Sequence, residues 1–318
     1  MKFSYISILF FLYFLFLVSC NQHSAKTIRI GILNGPSKVS FIQMIDQPAT
    51  VSGMEVEFIT KSEPLQIQAL MMQNKLDFAI LPTSMAANLY NKGIKYKMVA
   101  CPIWGTLYLL TNTEDNSLAA LSAKKVAVFG QSTTSDILLH HMLDKEGIRN
   151  VNIDYSFATN NEVAVALLQG KVNYGVISEP LVSVLLGKDS TIRILKKIDC
   201  EEYLDNIDKD IFVQTAFLVN ARFSEQKPGI VKQICDLYSA SCNFTSEQPV
   251  KTAELMVKHG ISPDTAIARR SIPLCNINYM GAFALEQEIR SYLKIFHASN
   301  PKSIGGKLPD KGFILQSY

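Results

Sequence analysis

The chain opens on an almost unbroken apolar run, Ser4 to Val18, and then turns to short, regularly punctuated segments. TIRIGILN at 27–34 predicts a strand, and GPSKVSFIQMI after it predicts the start of a helix with Pro36 in its first turn. MEVEFIT alternates with the period of a strand. PLQIQALMMQNK predicts a helix with Leu65, Ala69, Leu70 and Met72 on its apolar side. LDFAILP predicts a strand that stops at Pro82, and TSMAANLYNKG a helix that ends near Gly93. YKMVACPIWGTLYLLTN predicts two strands around Pro102 to Gly105. Steady alternation of strand and helix predicts a mostly parallel sheet covered by helices.

The alternation restarts after TEDNSLAALSA. KKVAVFG predicts a strand, and TTSDILLHHMLDKEG a helix with Thr or Asp near its first turn and Gly147 at its end. VNIDYSF, NEVAVALLQGK, VNYGVIS, EPLVSVLLGK and TIRILKK continue the order, and from about residue 222 the pattern is helical. Two α/β patterns of similar length and order predict two α/β lobes. Residues 112–215 form the second; residues 27–111 with 216–318 form a discontinuous first, on which the helical tail should pack. The chain would cross between them near Leu110 to Asn112 and near Gln214 to Leu218, forming a hinge.

Charge and cysteine content narrow the classes. The 31 basic and 28 acidic residues nearly balance, which argues against nucleic acid as a partner. Five cysteines besides Cys20 (Cys101, Cys200, Cys235, Cys242 and Cys275) are an odd set and lack zinc-site spacing, so buried free thiols are expected. Cys235 and Cys242 are seven helical residues apart, about 10.5 Å, which is too far for a disulfide. The apolar run is shorter than the about 20 residues of a membrane span. With Lys2 ahead of it and small residues behind, it reads as a secretory signal. LVSC, with Leu17 and Ser19 before Cys20, resembles a bacterial lipoprotein box. That resemblance implies removal of residues 1–19, lipid on Cys20, residues 20–26 as a tether, and a body held at the membrane facing the periplasm.

In open α/β sheets, ligands sit beyond the carboxyl ends of strands. Those ends carry Asn34, Gly35 and Ser37, then Thr83 and Ser84, then Gly130, Ser132 and Thr133. Each polar group precedes or opens a helix, where free N–H groups favour anions. The competing role for the same hydroxyls is capping. Trp104 offers a ring to stack on a flat ligand, Tyr108 fits core or hinge packing, and Gln214 lies at the second crossing. His140 and His141 are adjacent on a helix and point apart, a poor metal pair.

GILNGPSK at 31–38, MMQNKLDFAILPTSMAANLYNKG at 71–93, VAVFGQSTTSD at 126–136, LQGKVNYGVISEPLV at 168–182 and GGKLPD at 305–310 carry a family resemblance. In order and spacing they resemble the substrate-binding proteins of nitrate, taurine, sulfonate and thiamine-precursor ABC transporters. The resemblance implies the type II periplasmic-binding-protein-like fold, two lobes around a ligand cleft. It also implies a monomer that needs no cofactor or metal and delivers a small anionic or heteroaromatic solute to an ABC permease and its ATPase. It places Glu179 near the cleft, as acceptor for a ligand amine or as cap of the next helix. Two alternatives stand beside it. Relatives include thiamine- and menaquinone-pathway enzymes, but no nucleophile, base and orienter have recognisable spacing, and Asp136 alone is a thin candidate acid. A ligand-sensing lipoprotein without a permease is the other.

Overall fold

The computed structural model describes residues 27–115, 117–203 and 212–317. The signal segment, the tether and Cys20 lie outside the described residues.

The strands are β1 (Thr27–Leu33), β2 (Thr50–Val51), β3 (Met54–Lys61), β4 (Phe78–Pro82), β5 (Tyr96–Ile103), β6 (Leu107–Thr111), β7 (Lys125–Phe129), β8 (Asn152–Phe157), β9 (Tyr174–Ser178), β10 (Arg193–Lys197), β11 (Thr215–Asn220) and β12 (Ile277–Gly281). The α-helices are α1 (Pro36–Ser40), α2 (Ile42–Asp46), α3 (Pro64–Met72), α4 (Thr83–Asn91), α5 (Thr134–Lys145), α6 (Asn160–Leu168), α7 (Leu181–Lys188), α8 (Ala221–Gln226), α9 (Pro228–Glu247), α10 (Pro249–Lys258), α11 (Thr265–Leu274) and α12 (Glu286–Ser299). A seven-stranded sheet runs β12-β5-β11-β4-β1-β3-β2, and a five-stranded sheet runs β10-β6-β9-β7-β8. Two α/β lobes result, as the residue pattern predicts.

Central β1 is covered on both faces. Ile28, Ile30 and Ile32 are fully buried on one side. Gly31 lets Leu76 close on the other, where a Cβ would stand 2.5 Å from its Cδ1. Beneath the first sheet Tyr238 of α9 stacks on Phe41 with ring centroids 3.6 Å apart. One apolar cluster runs without a break from Met98 and Leu218 of the first sheet to Leu109 and Val176 of the second.

Four expectations need correction. Both sheets are mixed rather than mostly parallel: β11 runs antiparallel to β4 and β5, and β6 antiparallel to β9 and β10. The reason is topological. Strands that end at the cleft run towards it, whereas a strand that has just crossed starts at the cleft and runs away. Second, the division placed at residue 111 falls earlier. β6 belongs to the second sheet, so the chain leaves the first sheet between Ile103 and Leu107, where Gly105 adopts φ +133°; Thr215 already belongs to the first sheet. Third, the tail is not wholly helical or confined to lobe one. β12 pairs with β5, and α11 reaches lobe two, with Tyr108 Oη donating to the Leu274 carbonyl at 3.0 Å and Ile267 against Gly187. Fourth, α3 buries Ile67 and Met71, whereas Leu65 and Met72 are exposed, because the i, i+4 pair is the one over Leu76.

Candidate functional site: the cleft between the lobes

Strand ends at Leu33, Pro82, Phe129 and Ser178 open onto a cleft of about 1050 Å³ between the sheets. Helices begin there from both sides: α1 and α4 from lobe one, α5 and α6 from lobe two. The starts of α4 and α5 face each other, with Ser84 Oγ 3.4 Å from Thr134 Oγ1. Deeper contact between the lobes is made at Gly35, whose Cβ would meet Pro180 Cδ at 3.4 Å and the Glu179 carbonyl at 3.5 Å. At the rim, Asn300 Nδ2 donates to Ser132 Oγ at 3.1 Å.

The inner wall is polar. Ser37, Ser84 and Ser135 are buried hydroxyls on the cleft. Ser37 and Ser135 make no side-chain hydrogen bond within the described residues. Lys38 lines the wall but spends its ammonium on the His259 carbonyl at 2.9 Å. Apolar surface from Phe129, Met85, Leu181 and Ile261 completes the enclosure.

The carboxylates are occupied by protein donors. Asp136 Oδ2 accepts from Ser132 N–H at 2.7 Å, and Oδ1 from Tyr155 Oη at 2.7 Å. Burial pushes its pKa up, but His140, Tyr155 and Ser132 together hold it below the usual carboxylate range; His140 is raised in return by Asp136. Glu179 Oε1 accepts from Ser183 Oγ at 2.9 Å, and Oε2 from Ser271 Oγ at 3.0 Å. Burial drives Glu179 up to about 7 against those bonds. Asp199, fully buried behind the crossing, is likewise driven to about 7 by burial.

A family model described as NMT1/THI5 like matches residues 50–252. The chain belongs to the NMT1/THI5-like family. Among solved structures, this NMT1/THI5-like chain is similar to an ABC transporter protein from Parabacteroides distasonis, with 34% identity, 91% of this chain and 99% of that one covered, and a TM-score of 0.81. At 16% identity it shares its fold with the periplasmic aliphatic sulphonate binding protein SsuA from Escherichia coli (TM-score 0.71, covering 93% and 94%). At 15% identity it shares it with the alkanesulfonate-binding protein SsuA from Xanthomonas axonopodis pv. citri bound to MOPS (TM-score 0.64, covering 89% and 94%). The fold is thus that of the periplasmic binding proteins. No curated protein sequence matches the chain.

In this NMT1/THI5-like protein, nine of the residues expected at the site border the cleft: Asn34, Gly35, Ser37, Ser84, Gly130, Ser132, Thr133, Glu179 and Gln214. Thr83 and Trp104 do not. Thr83 is fully buried, its hydroxyl donating to the Val213 carbonyl at 2.7 Å, so it fastens the second crossing. Trp104 sits in the first crossing, where its backbone N–H donates to the Asn276 carbonyl at 3.1 Å. Three cleft residues are turned to other tasks. Glu179 is bonded to the hydroxyls of Ser183 and Ser271, and its Oε2 also accepts from the Ser183 N–H in the first turn of α7 at 3.4 Å. The Thr133 hydroxyl accepts from Asp136 N–H at 3.4 Å as an N-cap, and the Ser132 N–H is held by Asp136. Within the described residues, the N–H groups of Thr134 and Ser135 at this helix start have no acceptor. Phe129, Asn160 and the tail residues Gly260 and Ile261 also line the cleft and were not foreseen. Phe129 was legible as the residue before Gly130; the tail loop had no local signal.

Proposed function

We propose that this protein captures a small solute, one with an anionic head group and a largely apolar or flat body, and delivers it to an ABC permease and its ATPase. The observation that carries this reading is the pair of opposed helix starts at Ser84 and Thr134, 3.4 Å apart at their hydroxyls. Unsatisfied N–H groups and the positive ends of two helix dipoles then act on one point. Phe129, Met85 and Ile261 supply the apolar remainder, and the sulfonate-binding relatives support the same chemistry by analogy of fold. Binding without conversion agrees with Asp136 and Glu179 both being tied to protein donors. The 34%-identical ABC transporter relative supports the transport role. Lipid on Cys20 would hold the protein at the membrane, facing the periplasm.

The test is mass spectrometry of small molecules released by mild denaturation from freshly purified protein, followed by calorimetry with the molecule found. Recovery of an unchanged anion that rebinds is expected; a cationic ligand, or release of a converted product, refutes the reading. For the anchor, Cys20→Ala protein is expected to lose labelling by a palmitate analogue and to leave the membrane fraction.

A further inference from the structure

Gln214 stands where three parts of the molecule meet. Its backbone carbonyl accepts from the N–H of Thr83, the first residue of α4, at 2.9 Å. Its side-chain Oε1 accepts from Thr106 Oγ1 at 3.2 Å. Thr106 belongs to the other crossing, where its N–H donates to Asp199 Oδ2 at 2.5 Å and its carbonyl accepts from Glu179 N–H at 3.1 Å. Gln214 is therefore the side chain that joins the two crossings directly. It is also more than nine-tenths buried and lines the cleft.

Its amide nitrogen carries two donors, and no protein group within the described residues accepts from them. The nitrogen is not among the fully buried unpaired atoms, so these donors open to the cleft that Gln214 lines. We propose that Gln214 Nε2 donates to the bound solute's anionic group, and that Thr106 is the positioning residue that holds the amide in that orientation. This deepens the anion-binding reading and rests on it. The solute would then be bonded to a side chain that spans both crossings, so that its arrival stiffens the connection between the lobes.

Calorimetry with ethanesulfonate, ethylphosphonate and butanoate tests the assignment, one probe for each anionic head group. Wild-type protein is expected to bind at least one. Gln214→Glu keeps an acceptor for Thr106 but replaces the donor by a negative charge, and should weaken that binding by about tenfold or more. Thr106→Val, which removes the hydroxyl at constant shape, should weaken it by about threefold or more, and Thr106→Ser should restore it. Melting curves without probe accompany each variant, since a merely structural role would lower stability and leave affinity unchanged. Gln214→Glu binding as tightly as wild type overturns the donor assignment while the anion reading stands. Equal affinity of Thr106→Val and wild type overturns the positioning role. Failure of wild type to bind any of the three head groups removes the anion reading, and this inference with it.

Discussion

Replacing Gly105 by alanine should be among the most damaging single-methyl changes in the molecule. Gly105 adopts φ +133° at the first crossing, a conformation that side chains rarely take. A Cβ there would lie 2.4 Å from the Asp199 carbonyl oxygen, 3.0 Å from its Cγ and 3.1 Å from its Oδ1. Asp199 cannot retreat cheaply, because its Oδ2 is held by the N–H groups of Thr106 and Leu107 at 2.5 and 2.8 Å. Asn276 Nδ2 also grips the Gly105 carbonyl at 2.6 Å. Backbone strain costs about 1–3 kcal/mol and overpacking about 1–3 kcal/mol, so a loss of about 2–6 kcal/mol is expected. Gly147→Ala is the control: φ is +69°, but nothing lies within 4 Å of its Cβ, which leaves strain alone. Urea denaturation followed by both fluorescence and circular dichroism gives the difference in midpoint and checks two-state behaviour. A Gly105→Ala midpoint no lower than that of Gly147→Ala would refute the clash at the crossing.

Thr83→Val leaves the buried Val213 carbonyl without its donor and should cost about 1–3 kcal/mol in denaturation while leaving solute affinity, measured by calorimetry, close to wild type. Thr133→Ala removes an N-cap and should cost about 1 kcal/mol; an affinity loss without a stability loss would restore the direct-contact role. Glu179, raised to about 7 by burial, holds its proton more tightly in the folded state than in the unfolded chain. Its contribution is therefore full below the ordinary carboxyl range and is lost as pH rises through about 7. Melting temperature should fall over that window, and less steeply in Glu179→Gln; Asp199 titrates in the same window, so the slope should shrink rather than vanish. Equal slopes in both proteins would count against this.

The helix starts at the cleft were legible because strand-stop and helix-start residues are local signals: GPS, LPTS and GQSTTSD each mark a place where a strand's end meets a helix. Which atom at each start stays free was not, since that depends on partners far along the chain. Thr83 is claimed by Val213 and Asn300 reaches Ser132. The apolar run LYLLT gave a strand but not its sheet, because pairing partners leave no mark on a fully buried strand. The edge strand β12 was hidden for a similar reason: INYMG is short and only partly buried, and β5 selects it.

The reach of α11 into lobe two bears on how much disorder the unliganded protein carries. Besides the two strand crossings, α11 attaches to lobe two through Ser271 to Glu179, Leu274 to Tyr108, and Ile267 beside Gly187. Two flexible crossings alone would leave lobe two free to twist as well as swing. This further attachment by α11 restrains the twist. The open ensemble is then narrower, fewer orientations must be surrendered when a solute is enclosed, and a larger share of each contact's free energy remains as affinity.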